Sequence, residues 1–274
     1  MNREVEHAFL PVTSVSSGKG NLVIRDVYCY TNQIVNICFI NTSNNKWVLI
    51  DAGMPKSAEK IIKGAEKQFG QGCRPEAIIL THGHFDHVGS VEVLAEHWDI
   101  PVYAHQLEFP YLTGNEDYPP GDPTVDGGII SEMSPLFPNH SIDIKNRLRG
   151  LPGDGSIPFL TEWRWIHTPG HTPGHISLYR DKDSALIVGD AFVTVDQESL
   201  YKVMTQQQEI HGPPAYFTMD WDAAKESVRT LKGLEPEIAI TGHGVPMSGE
   251  ELKRDLSNLA ENFDTIARPK SKSK

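Results

Sequence analysis

An apolar stretch, Ala77-Ile78-Ile79-Leu80, runs straight into Thr81-His82-Gly83-His84-Phe85-Asp86-His87, and this junction constrains the chain more than any other feature. Four apolar residues bounded by polar ones read as a short buried strand. The histidines therefore stand at a strand's tip, where the ligand sites of open α/β sheets lie. In extended backbone His82 and His84 point to the same face, because side chains alternate, and Gly83 removes bulk between them. Their imidazoles can reach one ion together. Asp86 and His87 follow once the chain has begun to turn and are placed to serve a second ion. Imidazole and carboxylate suit zinc, and also manganese or iron. With this chain's own His and Asp content, these four fixed positions co-occur by chance in on the order of one chain in a thousand. Ordinary solvent-facing His and Asp residues explain the run poorly.

The surrounding sequence alternates strands and helices. Residues 21–30, 34–41 and 46–50 are rich in Val, Ile, Tyr and Phe and read as strands; the last ends in Asp51-Ala52-Gly53. Residues 55–69 have apolar positions at helical spacing and stop at Gly70. A helix over 89–98 and a strand over 101–104 follow. Between about 107 and 160 prolines and glycines crowd in (Pro119-Pro120-Gly121, Gly127-Gly128, Pro135, Pro138, Pro152-Gly153), which opposes long regular elements. A stretch of that length inside a compact domain reads as an insertion over one face, a lid for substrate or equally a contact for a homodimer. Order returns with strands at 162–166, 176–179, 185–188 and 237–241 and helices at 221–231 and 250–266. Apart from the local doubling His167-Thr168-Pro169-Gly170-His171-Thr172-Pro173-Gly174-His175 there is no internal repeat. The whole chain, residues 1–274, reads as one α/β domain.

Two metals need further ligands. His171, Asp190 and His243 each stand just beyond a predicted strand and beside glycine, and a carboxylate such as Asp190 can bridge two cations. His167 and His175 flank His171 at equal spacing, so composition alone does not choose among the three. His7, His97, His105, His140 and His211 have no partner signature and are read as ordinary surface or core histidines.

Composition excludes several classes. A formal net charge of -11 opposes a nucleic-acid surface. The basic tail from Arg268 to Lys274 is short and reads as frayed. Cys29, Cys38 and Cys73 are too few and scattered for a disulfide framework or a paired-cysteine site. Residues 1–6 mix charges without an apolar core of a leader, and no apolar run is long enough to span a bilayer. These features lead to the expectation of a cytoplasmic protein with a small-molecule substrate and no membrane partner.

In order along the chain, Asp51, the His-x-His-x-Asp-His run, His-Thr-Pro-Gly-His, Gly189-Asp190 and Gly242-His243 resemble the metallo-β-lactamase superfamily, from about residue 21 to the last helix. The resemblance implies a four-layer αββα sandwich, two mixed β-sheets flanked by helices. It implies that His82, His84 and His171 hold a first metal, that Asp86, His87 and His243 hold a second, and that Asp190 bridges them. The family pattern Thr-Pro-Gly-His-Thr selects His171 over its neighbours, leaving His175 to orient a ligand or to pack. Asp51 matches the family's first aspartate, which orients ligands and nearby loops. The cofactor implied is a pair of Zn2+ ions, with Mn2+ or Fe2+ as alternatives.

The expected chemistry is metal-assisted hydrolysis of an ester, lactone or thioester, with Asp86 or Asp190 receiving or relaying the proton. Within the resemblance, Asp190 in place of the cysteine of the commonest zinc β-lactamases disfavours β-lactam cleavage. Little chain remains after His243 for the glutathione-binding helices of glyoxalase II enzymes. Val193 stands where acyl-homoserine lactonases carry a tyrosine, and His84 departs from the carboxylate of flavodiiron proteins. The alternatives are a persulfide dioxygenase-like enzyme, which uses one iron held by two histidines and an aspartate, and a non-catalytic metal-binding protein. Retained Asp86, His87 and His243 favour the hydrolase.

Overall fold

A computed structural model describes residues 13–42, 46–125, 129–197 and 199–269. His7, the opening residues 1–6, Gly127-Gly128 and the tail beyond Pro269 lie outside the described residues.

Two mixed sheets form the centre. The first has seven strands in the order β1 (Gly20–Ile24), β2 (Val27–Asn32), β3 (Val35–Asn41), β4 (Trp47–Ile50), β5 (Ile78–Ile79), β6 (Val102–Ala104) and β7 (Leu148–Gly150). Pairing is antiparallel from β1 to β4 and parallel from β4 to β7. The second has five strands, β8 (Arg164–His167), β9 (Ile176–Arg180), β10 (Ala185–Gly189), β11 (Ile238–Thr241) and β12 (Met247–Ser248), in the order β12-β11-β10-β9-β8. Only β10 and β11 pair in parallel there.

Strand alternation sorts the apolar side chains into layers. Cys38 and Ile40 of β3 and Val48 and Ile50 of β4 turn inward and pack with Ile176, Leu178, Ile187 and Ile240 of the second sheet. Their neighbours Ile37, Phe39, Trp47 and Leu49 turn outward. They meet Ile61 and Ala65 of helix α1 (Ala58–Phe69) and Leu94 of α3 (Val91–Trp98), which follows the single turn α2 (Phe85–Val88). Two short helices, α4 (Phe109–Leu112) and α5 (Ile129–Met133), lie in the proline-rich stretch, and α6 (Leu200–Thr205) follows β10. On the far side, Leu186 and Ala239 are covered by Val228 and Leu231 of α7 (Trp221–Gly233) and Leu252, Leu256 and Leu259 of α8 (Gly249–Glu261). A last turn, α9 (Phe263–Ile266), buries Phe263 there. Each sheet thus buries both faces, and the result is the expected αββα sandwich. The end of the sandwich away from the sites below is tied by Arg180 of β9. It is 2% exposed, bonds Asp26 and Asp183, and stacks on Trp163.

Several expected elements change. Residues 21–30 are a hairpin rather than one strand, because Arg25 and Asp26 form its turn. The helix expected at 89–98 is preceded by a separate turn carrying Asp86 and His87, and the final helix breaks at Asn262. The proline-rich stretch is not wholly an insertion over one face. Its later part supplies β7 to the first sheet, with Leu148 in the outer core and Leu151, Ile157 and Leu160 between the sheets.

Candidate metal centre

Parallel pairing decides where the candidate ligands meet. Asp51 follows β4, the segment from Thr81 to His87 follows β5, His171 follows β8, Asp190 follows β10 and Gly242-His243 follows β11. These strands run the same way within each sheet, so their C-terminal tips crowd one end of the sandwich. Asn36 of β3 locks the two sheets there, since its backbone N–H donates to Gly242 O (2.7 Å) and its amide to Thr241 O (3.0 Å) and Gly244 O (2.6 Å).

Seven buried side chains converge. Ligand-type atoms of His82, His84 and His171 lie within 4.8 Å of one another, as do those of His82, His87 and Asp190, and those of Asp86, His87 and His243. His84 Nδ1 sits 2.9 Å from His171 Nε2, and His243 Nε2 is 3.3 Å from Asp86 Oδ2 and 3.2 Å from Asp190 Oδ2.

What orients each ring is visible at its other nitrogen. His243 Nδ1 lies 3.0 Å from Ile34 O, which can only accept, so this nitrogen carries the hydrogen. The Thr218 hydroxyl donates to Pro214 O and is left to accept from His171 Nδ1 (3.2 Å). The Thr81 hydroxyl donates to Asp51 Oδ2 (2.8 Å) and accepts from His82 Nδ1 (3.1 Å), while His87 Nδ1 donates to the same Asp51 oxygen (2.8 Å). Asp51 therefore sets two rings at once, and its other oxygen takes the Thr81 N–H at 2.7 Å. In all four histidines this network holds Nδ1 and turns Nε2 into the shared cavity.

That cavity fits a cation. His82 Nε2, His87 Nε2 and Asp190 Oδ1 are buried with no hydrogen-bond partner. A buried polar atom left unpaired costs about 1–3 kcal/mol. Three such atoms aimed at one another are a poor protein interior and a good nitrogen–oxygen ligand set. Gly242 belongs to the same geometry, because a Cβ there would stand 2.0 Å from Asp190 Oδ1 and 2.8 Å from His87 Cε1.

Protonation follows the same division. Burial pushes His82 and His171 well below the usual histidine range and His84 down to about 4, so these rings are neutral. Burial works against a proton on His243 too, but the Asp190 and Asp86 carboxylates override it and raise its pKa to about 10. His87 is likewise raised against burial by Asp190, Asp51 and Asp86. Asp190 and Asp86 are held low, burial notwithstanding, by His243 and His87. Without a cation, protons on His87 and His243 compensate the carboxylates. A cation must displace them, so its affinity is expected to rise with pH up to about 10 and to fall as the medium is acidified. Zinc titrations in buffers of different ionisation enthalpy check this. The apparent binding enthalpy should track the buffer, and a buffer-independent heat would contradict the assignment.

His175 stays outside these groups. Its Nε2 accepts from the Asp190 backbone N–H (2.8 Å) and its Nδ1 faces Thr168 Oγ1 (2.8 Å), so it places the Asp190 backbone. His167 points away to Pro173 O and stacks on His105. His140 meets Asp117, His97 lies against Trp98, and His211 bridges to Val193. None of these joins the three groups found among the described residues. Sequence reasoning missed Thr81, Thr218 and the Ile34 carbonyl. Thr81 adjoins the motif and could have been suspected, whereas the other two act across 47 and 209 residues of chain and left no local signal.

Comparisons with known proteins cover most of the chain. The profile described as metallo-beta-lactamase superfamily matches residues 30–243. The chain is 54% identical over 260 residues to the probable metallo-hydrolase YflN of Bacillus subtilis, spanning 94% of this chain and 98% of that protein. It is 28% identical to the hydroxyacylglutathione hydrolase GloC of Haemophilus influenzae over 72% of this chain and 79% of that one. Among solved structures it resembles TTHA1623 in a di-iron-bound form. There the TM-score is 0.55 with 27% identity, over 81% of this chain and 93% of that one.

Proposed function

Because this chain belongs to the metallo-β-lactamase superfamily, we propose that it is a metal-dependent hydrolase of ester, lactone or thioester bonds. The observation that carries the reading is the convergence of three buried ligand-type atoms that make no hydrogen bond, His82 Nε2, His87 Nε2 and Asp190 Oδ1, the last two only 3.5 Å apart. His82, His84 and His171 would hold a first cation, Asp86, His87 and His243 a second, with Asp190 between them. When bound, the cations, zinc in the first instance, would polarise a carbonyl oxygen and bring the pKa of a bound water towards neutrality.

The chain's own residues do the rest. Asp51 and Thr81 keep His82 and His87 aimed inward, so little reorganisation is needed as charge develops. Burial of Asp190 and His243 (each 3% exposed at the side chain) keeps bulk water off them, while Asp86 is the more accessible carboxylate at 10%. We assign Asp86 Oδ1, the oxygen that does not face His243, to take the proton released in the reaction and pass it outward, with Asp190 the alternative acceptor. Hydroxyacylglutathione hydrolase activity in a relative supports acyl transfer to water and a thioester as the first substrate to try. A cytoplasmic setting, the reading from the sequence, is compatible with Cys29, Cys38 and Cys73 being free. No helix of the described residues is long and apolar enough to cross a membrane.

A substrate panel tests the reading. Acylglutathione and acyl-CoA thioesters, γ-lactones, p-nitrophenyl esters and a β-lactam are each offered to zinc-, manganese- and iron-loaded protein. At least one of the first three classes should be hydrolysed, and a chelator should abolish turnover. Inert metal-loaded protein would sink the proposal, and oxygen-dependent consumption of a persulfide by a one-iron form would replace it with the dioxygenase.

A further inference from the structure

We propose that Glu108 is a positioning residue for this centre: its carboxylate ties the His82-Gly83-His84 loop to the His171-Thr172 loop and so sets the separation of His84 and His171. The proposal rests on the metal centre assigned above. Glu108 closes the turn Gln106–Glu108 just after β6, and it is 0% exposed. Among the described residues no ion pair reaches it. Four donors compensate the buried carboxylate instead. Oε2 accepts from the Gly83 N–H (2.9 Å) and from the Tyr118 hydroxyl, and Oε1 accepts from the Gly174 N–H (2.7 Å) and the Thr172 hydroxyl (2.8 Å). Gly83 lies between two of the candidate ligands, and Thr172 directly follows a third. One side chain from the turn after β6 thereby cross-links the two loops that must stay in register for the first cation.

Both loops are shaped to receive it. A Cβ on Gly83 would stand 2.7 Å from the Tyr118 hydroxyl and 3.1 Å from Glu108 Oε2. One on Gly174 would stand 2.8 Å from Glu108 Cγ and Oε1. Glycine at these two positions is what lets the carboxylate approach both backbones. His84 has particular need of such support. The other four rings are turned by a hydrogen bond at Nδ1, whereas His84 offers its Nδ1 to the cavity and is packed against the rings of Tyr118 (4.5 Å between centroids) and Phe217 (4.8 Å). Tyr118 is in turn held by Glu108, so the same carboxylate fixes both the backbone beside His84 and the ring against it.

Glutamine keeps the shape of glutamate but swaps one acceptor oxygen for an NH2 donor, which would face one pair of N–H and O–H donors. Zinc affinity of Glu108→Gln, read by chelator competition, is expected to fall about 10–100-fold for one cation and to stay unchanged for the other. The absorption bands of the cobalt-loaded variant should shift, which a merely structural loss would not produce at unchanged urea midpoint. Tyr118→Phe and Thr172→Val each remove one donor and should weaken the same cation less; they carry the test should Glu108→Gln not fold. Wild-type affinity and spectrum in all three variants would overturn the role of Glu108 while leaving the centre standing. Wild-type protein that binds no zinc would overturn the centre and this inference with it.

Discussion

Asp190→Asn is expected to lose retention of both cations and at least about 1000-fold in kcat/KM, or about 4 kcal/mol of transition-state stabilisation. Asp190 is the hub of the cluster. Its Oδ1 is 3.5 Å from His87 Nε2, and its Oδ2 is 3.2 Å from His243 Nε2 and 3.6 Å from His171 Nε2. An amide supplies one neutral oxygen where the carboxylate supplies two charged ones, and its NH2 would point a donor at a ring nitrogen or a cation. The loss should exceed the roughly 10–100-fold that follows removal of a group touching only a ligand, such as Asp51. Stability should respond differently. In the metal-free variant His87 and His243 can shed the protons that Asp190 helps to hold on them, so the fold should persist in urea titrations. Turnover within tenfold of wild type, or a collapsed fold, would contradict the assignment. The readouts are steady-state kinetics, metal analysis and urea unfolding.

Gly242→Ala is expected to cost about 100-fold in turnover or more without touching a candidate ligand. The added Cβ would lie 2.0 Å from Asp190 Oδ1, so the carboxylate or the β11 tip must move by about 1 Å, a displacement that can cost 100-fold in an active site. The tip cannot yield easily, because Asn36 holds Thr241, Gly242 and Gly244 from the other sheet. Gly233→Ala serves as the control. A Cβ there meets nothing within 4 Å, and alanine in place of glycine at the end of α7 should leave turnover unchanged. Equal kinetics in the two variants would refute the steric argument.

The parts of this centre that were readable in the sequence are those whose meaning is local. The spacing of His82, His84, Asp86 and His87 after an apolar strand needs no tertiary knowledge, and β3 and β4 announce themselves by apolar and β-branched content. Elements failed where local chemistry misleads. The run of Val, Ile and Tyr residues across Arg25-Asp26 hides a hairpin, and β7 is three residues long at the end of a proline-rich stretch. Phe85-Asp86-His87-Val88, expected only as the start of a turn, forms a short helix of its own. Glu108 is the clearest case of information that sequence lacks. Within Gln106-Leu107-Glu108-Phe109 nothing distinguishes it from a solvated acid, and its burial depends on donors from Gly83, Tyr118, Thr172 and Gly174 meeting in space.

The central claim, that one end of this sandwich traps a pair of cations among the seven converging side chains, is tested most directly by counting metal. Protein stripped with chelator, reloaded with zinc, desalted and analysed by inductively coupled plasma mass spectrometry should retain a pair of ions per chain at neutral pH. Protein that retains none would contradict it.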